Sequence, residues 1–127
     1  MQGLHVMTLA PTGPMLAVPP GAETAARFFR GLGDPTRLRI LRILFESERS
    51  VSELVELLGA PQGRVSSHLS CLRWCGFVDA DRRGRNVFYS VTDQRVRDIL
   101  ALGDAMIAES AGRVMSCSVI DEENSGA

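Results

Sequence analysis

Apolar residues recur along the chain with the period of an α-helix in five stretches. Between the third and fourth of these helices lies a short turn, and between the fourth and fifth a pair of strands. Ala25, Ala26, Phe28, Phe29 and Leu32 make the apolar set of a short helix over Glu23 to Leu32, stopped by Gly31 and Gly33. Asp34-Pro35 then starts a second helix, because Asp caps free backbone N–H groups and Pro is tolerated at the first helical position. This helix, Pro35 to Phe45, buries Leu38, Leu41, Ile43, Leu44 and Phe45 and shows Arg37, Arg39 and Arg42. A polar connection from Glu46 to Arg49 leads to Ser50, which with Glu53 forms the S-x-x-E capping pattern. Val51, Leu54, Val55, Leu57 and Leu58 give the third helix its apolar face, and Gly59 closes it.

After the short turn Gly59-Ala60-Pro61-Gln62, the stretch Gln62 to Gly76 places Val65, Leu69 and Leu72 at i, i+4 and i+7, on one face of a helix. About a right angle away at ~100° per residue, Arg64, His68, Cys71 and Cys75 form a second stripe. Ser66, Ser67, Ser70 and Trp74 complete the outward surface. Two helices joined by a short Gly-containing turn, the second showing a polar face, make a helix-turn-helix, whose second helix enters a DNA major groove.

Phe77 to Asp81 and Asn86 to Thr92 read as strands, the second with Val87, Tyr89 and Val91 alternating against Asn86, Phe88 and Ser90. Gly84 permits a tight loop between them, so Arg82, Arg83 and Arg85 sit at the tip of a hairpin able to reach phosphates or a minor groove. A solvated turn is the plainer role for those arginines. Thr92 or Asp93 caps a last long helix to about Gly112. Its stripe of Val96, Ile99, Leu100, Gly103, Met106 and Ile107 exceeds what so small a core consumes. Part of it is expected in a homodimer interface with the first helix. Residues 1–20 read as a mobile arm, 21–112 as the DNA-binding and dimerisation domain, and 113–127 as a flexible tail carrying Cys117.

The whole-chain charge of -1 does not announce a nucleic-acid partner, but from Gln62 to Arg97 seven Arg face three Asp, a local net of +4. The acidic excess falls elsewhere, notably at Asp121, Glu122 and Glu123. Apolar content of 45% with 23% charge fits one globular domain, and no apolar run is long enough to span a membrane. The apolar N-terminal stretch lacks the basic start of a secretory signal, so a reducing cytoplasm is expected. There, cysteines serve more often as ligands or reactive groups than as disulfides. Cys71 and Cys75, with β-carbons about 5–6 Å apart at i, i+4, are close enough to grip one ion. Their plainer role is that of small, half-buried helix residues. His68 has three readings: a DNA contact, which is preferred, a metal ligand, or an ordinary surface histidine.

The order of elements, together with GDPTRLRIL at Gly33 to Leu41 and VSSHLSCLRWCGFV at Val65 to Val78, resembles the ArsR/SmtB family of winged-helix repressors over about residues 22 to 112. The resemblance implies a mostly α fold with a small β-hairpin, a winged helix-turn-helix dimeric through its first and last helices. It implies operator binding by the apo homodimer and release when a stress metal binds. Gln62, Arg64, Ser66, Ser67 and His68 would face DNA, and Arg82, Arg83 and Arg85 would form the wing.

Metal positions vary within that family. No cysteine lies between Ser50 and Leu58, and no histidine in the last helix, which leaves Cys71, Cys75 and Cys117. This set and the local HLSCLR-x-CG wording are similar to the family's cadmium- and lead-sensing branch. The expected inducer is therefore Cd(II) or Pb(II), with Zn(II) a further candidate, since thiolates select soft ions. Cys117 would serve its own or the other protomer's pair; a free thiol is its plainer role. The alternatives are a thiol-redox regulator without a metal and a thiol metal-binding protein without DNA affinity. An enzyme using Cys and His is not expected, because no third orienting group, phosphate loop or metal-protease motif accompanies them. His5 in the arm is expected to be inert.

Overall fold

The computed structural model describes residues 21–117. The 1–20 arm with His5, and the tail beyond Cys117, lie outside them. Five helices and three short strands run in the order α1 (Ala22–Leu32), α2 (Pro35–Glu46), β1 (Arg49–Ser50), α3 (Val51–Leu58), α4 (Gln62–Trp74), β2 (Asp79–Arg83), β3 (Asn86–Ser90) and α5 (Gln94–Met115). The local start signals act as expected. Asp34 Oδ2 accepts from the backbone N–H of Thr36 and Arg37, Ser50 and Glu53 close a reciprocal capping box, and Asp93 caps α5. Gly59 ends α3 with φ +64°, the left-handed conformation that glycine adopts without penalty.

The core lies where α2, α3 and α4 meet and is completed by the segment after α4 and the start of α5. Ile40, Leu41, Leu54, Val65, Leu69 and Leu72 are fully buried, with Leu44, Phe77, Val78, Val91, Val96 and Leu100 around them. Ile40 joins Leu41 and Leu44 in the buried stripe of α2, whereas Leu38, Ile43 and Phe45 are only partly buried. Arg42 on α2 reaches across to Asp104 on α5 through two hydrogen bonds of 2.9 Å. Arg97 donates to the Phe45 carbonyl and covers its ring, fixing α5 against α2.

The structure differs from the sequence reading in several places. The wing is a three-stranded antiparallel sheet of order β1-β3-β2 rather than a bare hairpin. Arg49, expected in a polar connection, and Ser50, expected only as the cap of α3, pair with Tyr89 and Phe88; a two-residue strand is too short to show alternation. Strand β2 begins at Asp79, because Phe77 and Val78 are buried in the core. Helix α5 continues past Gly112 to Met115, with non-helical backbone at Ser110. Arg37 is half-buried and turned inward rather than shown to solvent.

Candidate metal and nucleic-acid sites

Helix α4 is held from behind by Val65, Leu69 and Leu72, all fully buried. That leaves Gln62, Arg64, Ser67, Ser70 and Trp74 exposed and Ser66 half-buried. Trp74, 90% exposed, lies at the last turn of the helix. The outward face therefore carries amide, hydroxyl and guanidinium groups on a firmly docked helix, the arrangement that direct base readout needs.

The hairpin of β2 and β3 turns through Gly84 and Arg85, with Gly84 at φ +64°. Its three arginines are not equivalent. Arg83 donates to Glu48 at 2.8 Å and to Asp81 at 2.9 Å, and its guanidinium lies 4.9 Å over the Phe88 ring. These carboxylates hold its pKa well above the usual arginine range, and Glu48 is held low in return. Arg82 and Arg85 are exposed, and no ion pair reaches them among the described residues. Arg83 thus straps the wing to the turn before β1, while its two neighbours present unneutralised charge.

His68 faces inward rather than out to the expected DNA surface. Its side chain is 17% exposed, with Nε2 3.8 Å from Asp34 Oδ2 and Nδ1 3.1 Å from Arg37 Nη1. The side chain lies beside the start of α2 because one helical step from the apolar stripe turns it toward that helix rather than to solvent. Sequence periodicity placed it on the polar flank without showing that α2 lies over that flank.

Cys71 and Cys75 are brought together where α4 ends. The Cys75 N–H donates to the Cys71 carbonyl at 3.0 Å, and Gly76, at φ +84°, reverses the chain so that the Phe77 N–H donates to the Leu72 carbonyl at 2.8 Å. Both thiols are half-buried, and no disulfide joins them. Burial raises the Cys75 pKa above its ordinary value, the neighbouring Cys71 raises it further, and Arg37 opposes both. Two neighbouring thiols one helical turn apart are chemically suited to share a soft cation. Cys75 also lines a cavity of about 360 Å³ with Phe28, Phe77, Val96 and Ile99. Cys117, just beyond α5, does not gather with the pair: among the described residues no three of His, Cys, Asp and Glu come together as a metal-holding group.

The family model described as "Bacterial regulatory protein, arsR family" matches residues 34–80, from the cap of α2 into the wing. The chain is 46% identical over 101 residues to the probable mercury resistance operon repressor of Streptomyces lividans, across 80% of this chain and 81% of that one. This chain belongs to the ArsR family. It is a DNA-binding transcriptional repressor and not an enzyme. Another relative is the transcriptional regulator CmtR of Mycobacterium bovis, 45% identical over 71 residues, covering 56% of this chain and 60% of that protein. The fold is that of a winged helix-turn-helix. The homodimeric DNA-binding domain Mb0332 of M. bovis is similar at a TM-score of 0.64 and 25% identity, over 80% of this chain and 92% of that one. No helix among the described residues is long and apolar enough to cross a membrane.

Proposed function

We propose that this ArsR-family repressor binds operator DNA as a metal-free homodimer in a reducing cytoplasm and releases it when a soft metal ion is captured by Cys71 and Cys75. The observation that carries the reading is the placement of two neighbouring thiols on the helix that shows Gln62, Arg64, Ser66 and Ser67 outward. Those four groups face bases and phosphates in the major groove, and Arg82 and Arg85 meet the backbone beside it. Arg83 contributes by holding the wing in place. Phe29 on α1 and Leu102, Met106 and Ile107 on α5 are exposed apolar groups, which supports a dimer through these two helices. Two recognition helices then lie about 34–36 Å apart along the operator.

A bound soft ion joins the two sulfurs and draws off their protons. Cd(II) and Pb(II), with three thiolates, require Cys117. Since it stands apart from the pair within one protomer, the partner's tail supplies the third sulfur. An ion content with two thiolates needs only Cys71 and Cys75, and mercury, the metal in the Streptomyces relative's name, is of that kind. Zn(II), harder and four-coordinate, is the weakest fit. The raised Cys75 thiol weighs against the redox reading, because the thiolate is the form that oxidises.

The test is a titration of operator binding with Hg(II), Cd(II), Pb(II) and Zn(II), read beside ultraviolet thiolate-to-metal charge transfer. Cys71→Ser retains DNA binding and loses both the band and the release. Cys117→Ser abolishes the response to Cd(II) and Pb(II) and spares that to Hg(II). A wild-type protein with no charge-transfer band in any of these metals would sink the reading.

A further inference from the structure

We propose that Arg37 is the positioning residue that transmits occupation of the Cys71 and Cys75 pair to the DNA-reading helix, by clamping His68 of α4 to the last carbonyls of α1. The proposal rests on the soft-metal reading above and assigns the residue that makes it allosteric. One guanidinium is divided between two helices. Its Nε donates to the Gly31 carbonyl at 2.8 Å, its Nη2 to the Arg30 carbonyl at 3.1 Å, and its Nη1 lies 3.1 Å from His68 Nδ1. Because arginine only donates, Nδ1 of His68 accepts, and the ring's proton sits on Nε2, on the side of Asp34. Both carbonyls belong to the last turn of α1, where a cation is favoured; that of Arg30 also accepts from the Gly33 N–H at 3.0 Å.

The thiol pair meets the same turn of α1. A Cβ placed on Gly31 would fall 3.1 Å from Cys75 Sγ and 3.2 Å from Phe77 Cε2, so the sulfur rests directly against the residue whose carbonyl Arg37 holds. Arg37 is also close enough to favour the Cys75 thiolate. A sulfur that shifts to share an ion with Cys71 has no room toward Gly31. The displacement falls on the α1–α4 contact, which the Arg37 hydrogen bonds span. Clamped, α4 is held at one angle to α1; with the clamp disturbed, the angle changes, and a groove-reading helix is sensitive to angle. Two arrangements biased by one ligand are what a coupling between sites requires.

The experiment uses the full chain, an operator fragment selected from a random DNA pool, and Cd(II) as probe. In the wild type, Cd(II) weakens DNA binding by about 5–150-fold, the ordinary range of such coupling. Arg37→Gln and His68→Gln keep the charge-transfer band, while their metal-free DNA affinity drops toward that of the Cd(II)-loaded wild type and the coupling factor falls toward one. The double variant falls no further than either single one, since both changes cut the same link. The Arg37 Nε–H in 15N NMR is protected from solvent exchange in the metal-free protein and loses that protection on Cd(II) addition, a response that an arginine whose hydrogen bonds stay intact would not give. Coupling factors equal to wild type in both variants would overturn the clamp. If Arg37→Gln fails to fold, His68→Gln and the Nε–H resonance decide the matter alone. A wild-type protein lacking both band and release would instead overturn the underlying metal reading, an outcome distinct from unchanged coupling.

Discussion

Gly31 of α1 and Cys75 at the end of α4 touch so closely that a single methyl group on the glycine would lie 3.1 Å from the sulfur. The absence of a side chain at position 31 is therefore what lets the C-terminus of α1 rest on the thiol. Gly31→Val forces the two helices apart and destabilises the fold by about 1–3 kcal/mol, the usual cost of overpacking. Urea denaturation checks this. Adding Cys75→Ala should recover part of the loss, because it removes the atom the valine meets; additive losses would place the clash on Phe77 instead.

The Cys75 thiol has a pKa above its ordinary value, raised first by burial and then by Cys71. At neutral pH it is protonated, so capturing a cation must displace a proton, and metal affinity falls as the pH drops. For the same reason Cys75 is alkylated by iodoacetamide more slowly than a free cysteine thiol. In Cys71→Ser the contribution of Cys71 disappears and alkylation of Cys75 speeds up. Peptide mapping of the labelled protein reads both rates.

The wing arginines should separate by salt dependence. Each cation that neutralises a phosphate adds close to one unit to the slope of log affinity against log salt. Arg82→Ala and Arg85→Ala should each reduce that slope by about one. Arg83→Ala should leave the slope nearly unchanged, since Glu48 and Asp81 already occupy its guanidinium, but should weaken binding at all salt concentrations by loosening the wing. Fluorescence anisotropy over a salt series distinguishes the two patterns.

Asp93 caps α5 and is paired with Arg95, whose hydrogen bonds lower its pKa from 3.8 to about 2. A carboxylate depressed on folding stabilises the protein above its unfolded pKa and loses that contribution as pH falls through the folded one. The stability advantage of wild type over Asp93→Asn is thus expected to be flat above the ordinary carboxylate range and to shrink toward pH 2. Thermal melts of both proteins across acidic pH measure the difference; a constant gap would mean that the charge contributes nothing.

Much of the architecture was readable because it is written in local chemistry. Asp34-Pro35, the Ser50/Glu53 capping box, Gly59 and Asp93 act within a few residues of themselves, and each ended or began a helix where expected. The stripe of Val65, Leu69 and Leu72 predicted the buried face of α4. The nearness of Cys71 and Cys75 also followed from spacing. Strand β1 was missed because two residues carry no period, and the end of α5 was misplaced because Gly112 does not stop the helix.

The chain alone determined the buried face of α4 and which chemical groups share a stripe on it, since both follow from the helical repeat. Only the tertiary structure decided which of the polar groups remain available. It turned His68 and Arg37 toward one another, tied Arg83 to Glu48 across 35 residues and kept Cys117 out of the thiol pair. The physical reason is that hydrogen bonds and charges choose partners by distance in space, and the partners here come from helices and turns that no local period brings together.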